Sequence, residues 1–183
     1  MKKTVLITIL LITAAAVKAM AGNDTTAAEA PKVRFTYFFE TRMGADMLDY
    51  PGFGSLDWTV APGCSFSNGL SLRLPIEYNL GMHKESYSDY EGVYMSTGTI
   101  GLNLGYDLLR KSKYYWLELN ASGGSSYLKT VYRFAYADLS LKFGSKFSGA
   151  YNIYFGLGLR YLKPYNPDMS QKLLMHCAIG FRF

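Results

Sequence analysis

In the final stretch of the chain, residues 172–183, every second residue is apolar, and five of the six residues between them are small or polar. One series is apolar and comprises Leu173, Met175, Cys177, Ile179, Phe181 and Phe183. A period of two indicates a β-strand with one apolar face. In water such a strand would aggregate when left at the edge of a sheet. In lipid it is stable, because acyl chains cover its apolar face and a closed barrel pairs both of its edges.

The same alternation predicts seven earlier strands. They cover residues 32–43, 55–65, 70–80, 93–106, 114–122, 131–143 and 150–161. Residues 44–54 and the Gly-Ser-rich stretch at 123–127 are predicted to be loops, and residues 67–69 form a turn signal. Pro75 lies inside the third segment and has no amide hydrogen to donate, so it predicts a bulge or local irregularity there.

Before the first strand, the chain carries the pattern of an export signal. Lys2 and Lys3 precede a mostly apolar run at 5–17, and Ala19 and Ala21 form an A-x-A cleavage site. We therefore expect residues 1–21 to be a signal peptide and 22–31 a short disordered lead-in. Without the signal peptide, Lys plus Arg falls from 19 to 16 against 14 acidic residues. The mature chain is thus nearly neutral, which gives no support to nucleic-acid binding.

The predicted fold is all-β, an eight-stranded antiparallel up-and-down transmembrane β-barrel over residues 32–183. Sixteen Tyr, eleven Phe and eighteen Gly fit strands and turns in such a barrel. Its last strand neighbours the first and the seventh but not the second. A disulfide between Cys64, in the second predicted strand, and Cys177, in the last, is therefore not expected.

The A-x-A signal, the eight amphipathic segments and the terminal Phe183 together resemble the small eight-stranded outer-membrane barrels of the OmpA/OmpX type. The resemblance covers essentially the whole mature chain and implies residence in the outer membrane, in contact with its lipids and lipopolysaccharide. It also implies that Phe181 and Phe183 signal to the barrel assembly machinery. The even number of strands separately predicts that the lead-in and the short turns are periplasmic. Members of this group differ in activity, so we predict only a structural or surface-interaction role.

The polar faces of the predicted strands should point into the barrel. This predicted lumen polar network consists of Arg34, Glu40, Arg42, Asp57, Arg73, Glu77, Glu118, Asp138, Lys142, Arg160, Lys172, His176 and Arg182. Acids and bases are roughly balanced, which predicts a plugged lumen in which each charge has a partner. The alternative is a narrow channel, although an eight-stranded barrel has an interior that side chains just fill.

The second alternative is an enzyme, because some barrels similar to this one modify lipid A as deacylases or acyltransferases. Such chemistry needs a nucleophile beside a base, commonly Ser with His and an acid. The chain has two histidines. His83 lies in a predicted loop with Glu85, Ser86, Ser88 and Asp89, and His176 is followed by Cys177 and Ala178 instead of the H-x-S pattern of the deacylases. We therefore predict no enzymatic activity, no cofactor and no metal site.

Overall fold

The structure is a computed structural model that describes residues 34–47, 53–82, 94–130, 132–146, 151–167 and 171–183. The predicted signal peptide (residues 1–21) and lead-in (22–31) lie outside these ranges, and so does His83 with its neighbours 85–89. Among the residues described, no helix is long and apolar enough to cross a membrane.

The described chain forms one antiparallel sheet that closes on itself. Its strands are β1 (Phe35–Met47), β2 (Phe53–Phe66), β3 (Leu70–Arg73), β4 (Ile76–Met82), β5 (Tyr94–Asp107), β6 (Tyr115–Ser126), β7 (Phe134–Ser145), β8 (Asn152–Pro164) and β9 (Lys172–Arg182). Strand β1 pairs with both β2 and β9, which closes the barrel. Segments β3 and β4 both lie between β2 and β5, so they are two parts of one barrel strand. The predicted eight-stranded antiparallel barrel is confirmed.

The break between β3 and β4 falls at Leu74 and Pro75, where the sequence predicted an irregularity. Pro75 has no amide hydrogen, but its carbonyl accepts a hydrogen bond from the amide of Gly101 at 3.0 Å. The amide of Leu74 donates to the carbonyl of Pro62, also at 3.0 Å. The barrel strand therefore keeps both neighbours across the interruption, and the prediction is confirmed.

The predicted loop at 44–54 is wrong at both of its ends, because β1 continues to Met47 and β2 begins at Phe53. Glycine is common in loops, but Gly44 lies inside β1, where its small size allows close packing. A Cβ atom on Gly44 would lie 2.6 Å from Cε1 of His176 and 2.9 Å from Cγ of Asp57. Glycine is needed here because two lumen side chains occupy the space beside its backbone.

The predicted loop at 123–127 is also wrong over most of its length, because β6 continues to Ser126. Gly123 and Gly124 are paired with β5 on one side and with β7 on the other. A Cβ atom on Gly124 would lie 2.7 Å from Cε1 of Tyr136. Gly124 makes room for an inward-pointing aromatic ring, and both glycines extend a strand rather than end it.

The two faces of the barrel have opposite character. The outward apolar belt consists of exposed side chains at alternate positions, among them Leu102, Leu119, Leu139, Leu141, Phe155, Leu157, Leu159, Met175 and Ile179. The inward positions between them carry most of the buried charged and amide side chains. This arrangement is the reverse of a water-soluble domain, in which large apolar side chains are mostly inside.

Both cysteines are free. Cys64 lies in β2 and Cys177 in β9, and β1 runs between these two strands. The expectation that they do not form a disulfide is confirmed.

Candidate functional site

The buried charges inside the barrel form two clusters, which we name after their central residues. The Glu40 cluster contains Glu40, Arg73, Glu118, Lys142, Tyr154 and Arg182. The Arg160 cluster contains Arg42, Asp46, Asp57, Glu77, Asp138, Arg160 and His176. Every strand except β5 contributes a member, because each strand turns every second side chain inward.

Arg160 on β8 is completely buried and holds three carboxylates. Its Nε and Nη2 atoms donate to the two oxygens of Asp138 at 2.9 and 3.1 Å. Its Nη1 and Nη2 atoms donate to the two oxygens of Glu77 at 2.9 and 3.1 Å. Nη1 also lies 3.3 Å from Oδ2 of Asp46. Two bidentate pairs on one guanidinium fix the geometry of β4, β7 and β8 relative to one another.

The other side of the Arg160 cluster is built around His176. Its Nδ1 atom lies 2.8 Å from Oδ1 of Asp46 and 3.7 Å from Oδ2 of Asp57. The hydroxyl of Ser55 donates to Oδ2 of Asp46 at 2.8 Å. Arg42 contacts two other members of the cluster, with Nη2 at 3.4 Å from Glu77 and Nε at 3.9 Å from Asp57. Two carboxylates, those of Asp46 and Asp57, therefore lie beside Nδ1 of the imidazole.

The Glu40 cluster has a carboxylate at its centre. Glu40 on β1 is 2% exposed and accepts a hydrogen bond from the hydroxyl of Tyr154 at 2.6 Å. It is also ion-paired with Lys142, with Nε of Arg73 at 3.0 Å and with Nη2 of Arg182 at 3.2 Å. Three cations from different strands thus converge on one carboxylate, and each keeps a partner inside the barrel.

Arginine side chains also stack on aromatic rings in the same region. The guanidinium carbon of Arg182 lies 4.1 Å from the ring centroid of Trp116 and 4.9 Å from that of Phe38. Arg73 lies 5.1 Å from the ring of Phe38. These cation–π contacts add to the ion pairs and fill the lumen beside the Glu40 cluster.

Little free space separates the side chains of the lumen. A cavity of about 10 Å³, lined by Glu40, Arg42, Arg73 and Lys142 among others, lies between the two clusters. That volume holds about one water molecule. Near the start of β7 and the end of β8, buried apolar side chains form a cap, which consists of Tyr132, Phe134, Tyr136, Leu162 and Leu174. Side chains of the two clusters and of the cap therefore fill the lumen.

The structure brings most of the predicted lumen residues together. Those found in the two clusters are Glu40, Arg42, Asp57, Arg73, Glu77, Glu118, Asp138, Lys142, Arg160, His176 and Arg182. The prediction for Arg34 is wrong, because this residue precedes β1 and its side chain is exposed. Lys172 is half-buried at the first position of β9.

Asp46 is a further lumen residue, although it falls within the predicted loop at 44–54. Asp46 is completely buried and contacts Arg160, His176 and Ser55. The alternation indicates an inward side chain here, because residue 46 continues the inward series of Glu40 and Arg42 at intervals of two. Neutral side chains outside the predicted lumen polar network also bind its members. Asn103 and Asn120 accept hydrogen bonds from Arg73 at 2.7 and 2.8 Å.

No model of a known protein family matches this sequence. No curated protein matches it either.

Solved structures of three bacterial proteins are similar to this chain in fold. The N-terminal β-barrel domain of Pseudomonas aeruginosa OprF aligns over 82% of this chain and 100% of its own, with 10% identity and a TM-score of 0.46. The Yersinia pestis outer membrane protein Ail aligns over 80% and 98%, with 10% identity and a TM-score of 0.45. Neisserial surface protein A aligns over 81% and 95%, with 15% identity and a TM-score of 0.41.

Proposed function

We propose that this chain is an integral protein of the bacterial outer membrane, with a plugged barrel and a structural or surface-interaction role. The observation that supports this most strongly is the reversal of its two faces. Ion pairs fill the inside of the barrel, while large apolar side chains cover the outside. A closed barrel in lipid is the environment in which both faces are stable.

The outward apolar belt would lie against acyl chains. Leu139 is 56% exposed, Phe155 53% and Ile179 57%. Removing one such side chain from water contributes about 1.5–3 kcal/mol when burial is complete, so a belt around the whole barrel supplies a large driving force for insertion. Tyr151 lies 6.0 Å from Phe181 and 6.3 Å from Phe183, between ring centroids. These rings would form part of an aromatic girdle at the membrane interface.

The packed lumen favours a structural or binding role over the narrow channel. The guanidinium of Arg160 and the carboxylate of Glu40 each bind several partners across the barrel. Moving either group aside to open a water path would separate buried charges, which is costly. A ligand that arrives from the cell exterior would therefore meet the exterior loops, and lipopolysaccharide and phospholipids would surround the barrel.

The lipid A-modifying enzyme is the weaker alternative. Nδ1 of His176 faces the carboxylate of Asp46 inside the packed lumen, and the hydroxyl of Ser55 donates to the same carboxylate instead of to the imidazole. A serine nucleophile needs its hydroxyl hydrogen-bonded to the base. This trio therefore lacks the order of a catalytic triad.

We propose that the barrel assembly machinery recognises Phe181 and Phe183. The amide of Phe183 donates to the carbonyl of Phe39 at 2.8 Å, and both aromatic side chains are exposed. Phe183→Ala keeps this backbone hydrogen bond and removes the aromatic ring. We expect the substitution to reduce the assembled protein in cells much more than it reduces refolding of purified protein into lipid vesicles. Equal losses in the two assays would remove the case for a signal.

Four measurements test the proposed function, and the last of them compares strains with and without the gene. The protein should be found in the outer-membrane fraction and should migrate faster on a gel before boiling than after it, because closed barrels resist detergent. Planar bilayers containing the purified barrel should show no stable conductance steps. The lipid A mass profile should be the same in the two strains. A lipid A species that gains or loses an acyl chain would support the enzyme, and stable steps would support the channel.

A further inference from the structure

Three side chains with metal-ligating atoms meet inside the Arg160 cluster. Asp46 on β1, Asp57 on β2 and His176 on β9 are buried, and one potential ligand atom of each lies within 4.8 Å of the others. The backbone register explains this convergence, because Asp46 is paired directly with His176 and Asp57 is paired with Gly44. The three strands are neighbours, and β1 is in the middle.

Asp57 has an oxygen that faces this group without a hydrogen bond, although Nη1 of Arg160 lies 3.8 Å from it. Its side chain is completely buried, and its Oδ2 atom has no hydrogen-bond partner within the described part of the chain. The same oxygen lies 3.7 Å from Nδ1 of His176, which is too far for a hydrogen bond. A buried carboxylate oxygen is normally satisfied, so this atom indicates a missing partner.

The charge balance of the cluster indicates that the missing partner is a cation. The four carboxylates of Asp46, Asp57, Glu77 and Asp138 face the two guanidiniums of Arg42 and Arg160. Carboxylates therefore outnumber guanidiniums four to two around Asp57. The Nη1 and Nη2 atoms of Arg160 are already used by Glu77, Asp138 and Asp46, so Arg160 cannot fully satisfy Asp57 as well. A divalent cation beside Asp46 and Asp57 would supply positive charge where the carboxylates outnumber the guanidiniums.

We propose that Asp46, Asp57 and His176 bind a divalent transition-metal ion, for which zinc is the best match. One imidazole nitrogen and two carboxylate oxygens are a donor set that zinc accepts, whereas calcium and magnesium prefer oxygen alone. Nδ1 lies 2.8 Å from Oδ1 of Asp46 and 3.7 Å from Oδ2 of Asp57. These separations bracket the roughly 3.3–3.5 Å between neighbouring ligands around tetrahedral zinc with bonds of about 2.0–2.2 Å.

Gly44 makes this approach possible. A Cβ atom at this position would lie 2.6 Å from Cε1 of His176 and 2.9 Å from Cγ of Asp57. Any larger residue would push the imidazole and the carboxylate away from each other. The space beside Gly44 therefore belongs to the same site as the three ligands.

A metal ion at this position would join the first strand of the barrel to the last. β1 and β9 close the sheet, and Asp46 and His176 lie directly opposite each other across this closure. Binding of an ion to the folded state alone stabilises that state in proportion to the logarithm of ion concentration. The proposed ion thus acts on barrel closure, independently of what the exterior loops bind.

The test is to refold the untagged protein into detergent micelles with zinc chloride, remove free zinc and measure bound metal by mass spectrometry. Metal must be present during refolding, because packed side chains surround the site. The folded protein should retain about one zinc ion per chain. Its unfolding temperature should rise with zinc concentration, and cobalt in place of zinc should give visible absorption bands.

The Asp57→Asn and His176→Gln variants should lose the bound zinc while both cysteines remain in place. His83→Gln changes the other histidine of the chain and is the matched control, which should keep the metal. Gel mobility before boiling identifies the folded fraction of each variant, and metal is counted in that fraction alone. A folded wild-type barrel without zinc, or folded Asp57→Asn or His176→Gln protein that retains it, would overturn the proposal.

Discussion

Arg160→Met should destabilise the folded barrel by about 3–5 kcal/mol, the usual cost of removing one partner from a buried ion network. The substitution leaves the carboxylates of Glu77, Asp138 and Asp46 without the guanidinium that they share. Methionine fills much of the same space, so the loss should come mainly from uncompensated charge. Urea unfolding in lipid vesicles, followed by tryptophan fluorescence, measures the change.

The matched control for this prediction is Arg133→Met. Arg133 lies just before β7 and its side chain is exposed, so the same chemical change should alter the free energy of unfolding very little. Adding Glu77→Gln and Asp138→Asn to Arg160→Met should recover part of the lost stability, because the charges left unpaired are then removed. If Arg160→Met and Arg133→Met unfold at the same urea concentration, the cluster does not contribute to stability as described.

Leu157→Arg should destabilise the barrel by about 2–4 kcal/mol, because it puts a charge at lipid depth. Leu157 lies near the middle of β8, is 46% exposed and is flanked by Leu141 and Cys177 on the neighbouring strands. The neighbouring residue Gly156 provides the control. A Cβ atom there would lie 3.6 Å from Cγ of Lys142, which is ordinary contact, so Gly156→Ser should fold nearly as well as the wild type.

Refolding yield in vesicles and the urea midpoint compare these two variants directly. A one-residue slip of β8 would exchange the lipid-facing and lumen-facing residues. In that case Gly156→Ser would be the more damaging change and Leu157→Arg the milder one. That result would contradict the register, whereas a large loss confined to Leu157→Arg would support it.

The ion clusters also explain why a single register is favoured. Glu40 on β1 is held by Arg182 on β9, and Asp46 on β1 by His176 on β9. A slip by one residue at this closure would turn these buried charges toward lipid. The clusters therefore contribute specificity to barrel closure in addition to any net stability.

The alternation of side chains determined the faces of the barrel without help from tertiary structure. Whether a residue points inward depends on whether it occupies an odd or an even position in its strand. That position can be seen in the local sequence. Leu157 and Arg160 could be assigned to opposite faces for this reason, and so could Glu118 and Leu119. Pro75 was likewise recognised as an interruption, because its missing amide hydrogen is a property of the residue itself.

Tertiary structure decided where the strands end and which charges meet. Gly44 and Gly124 fall in segments that the sequence predicts as loops. They lie in strands, where His176, Asp57 and Tyr136 occupy the space beside them. Arg160 binds Glu77 across 83 positions of sequence, and Glu40 binds Arg182 across 142. Such pairings depend on the stagger between strands and on barrel closure. A period of two specifies which way each side chain points, but it does not specify its depth along the barrel or its neighbour across it.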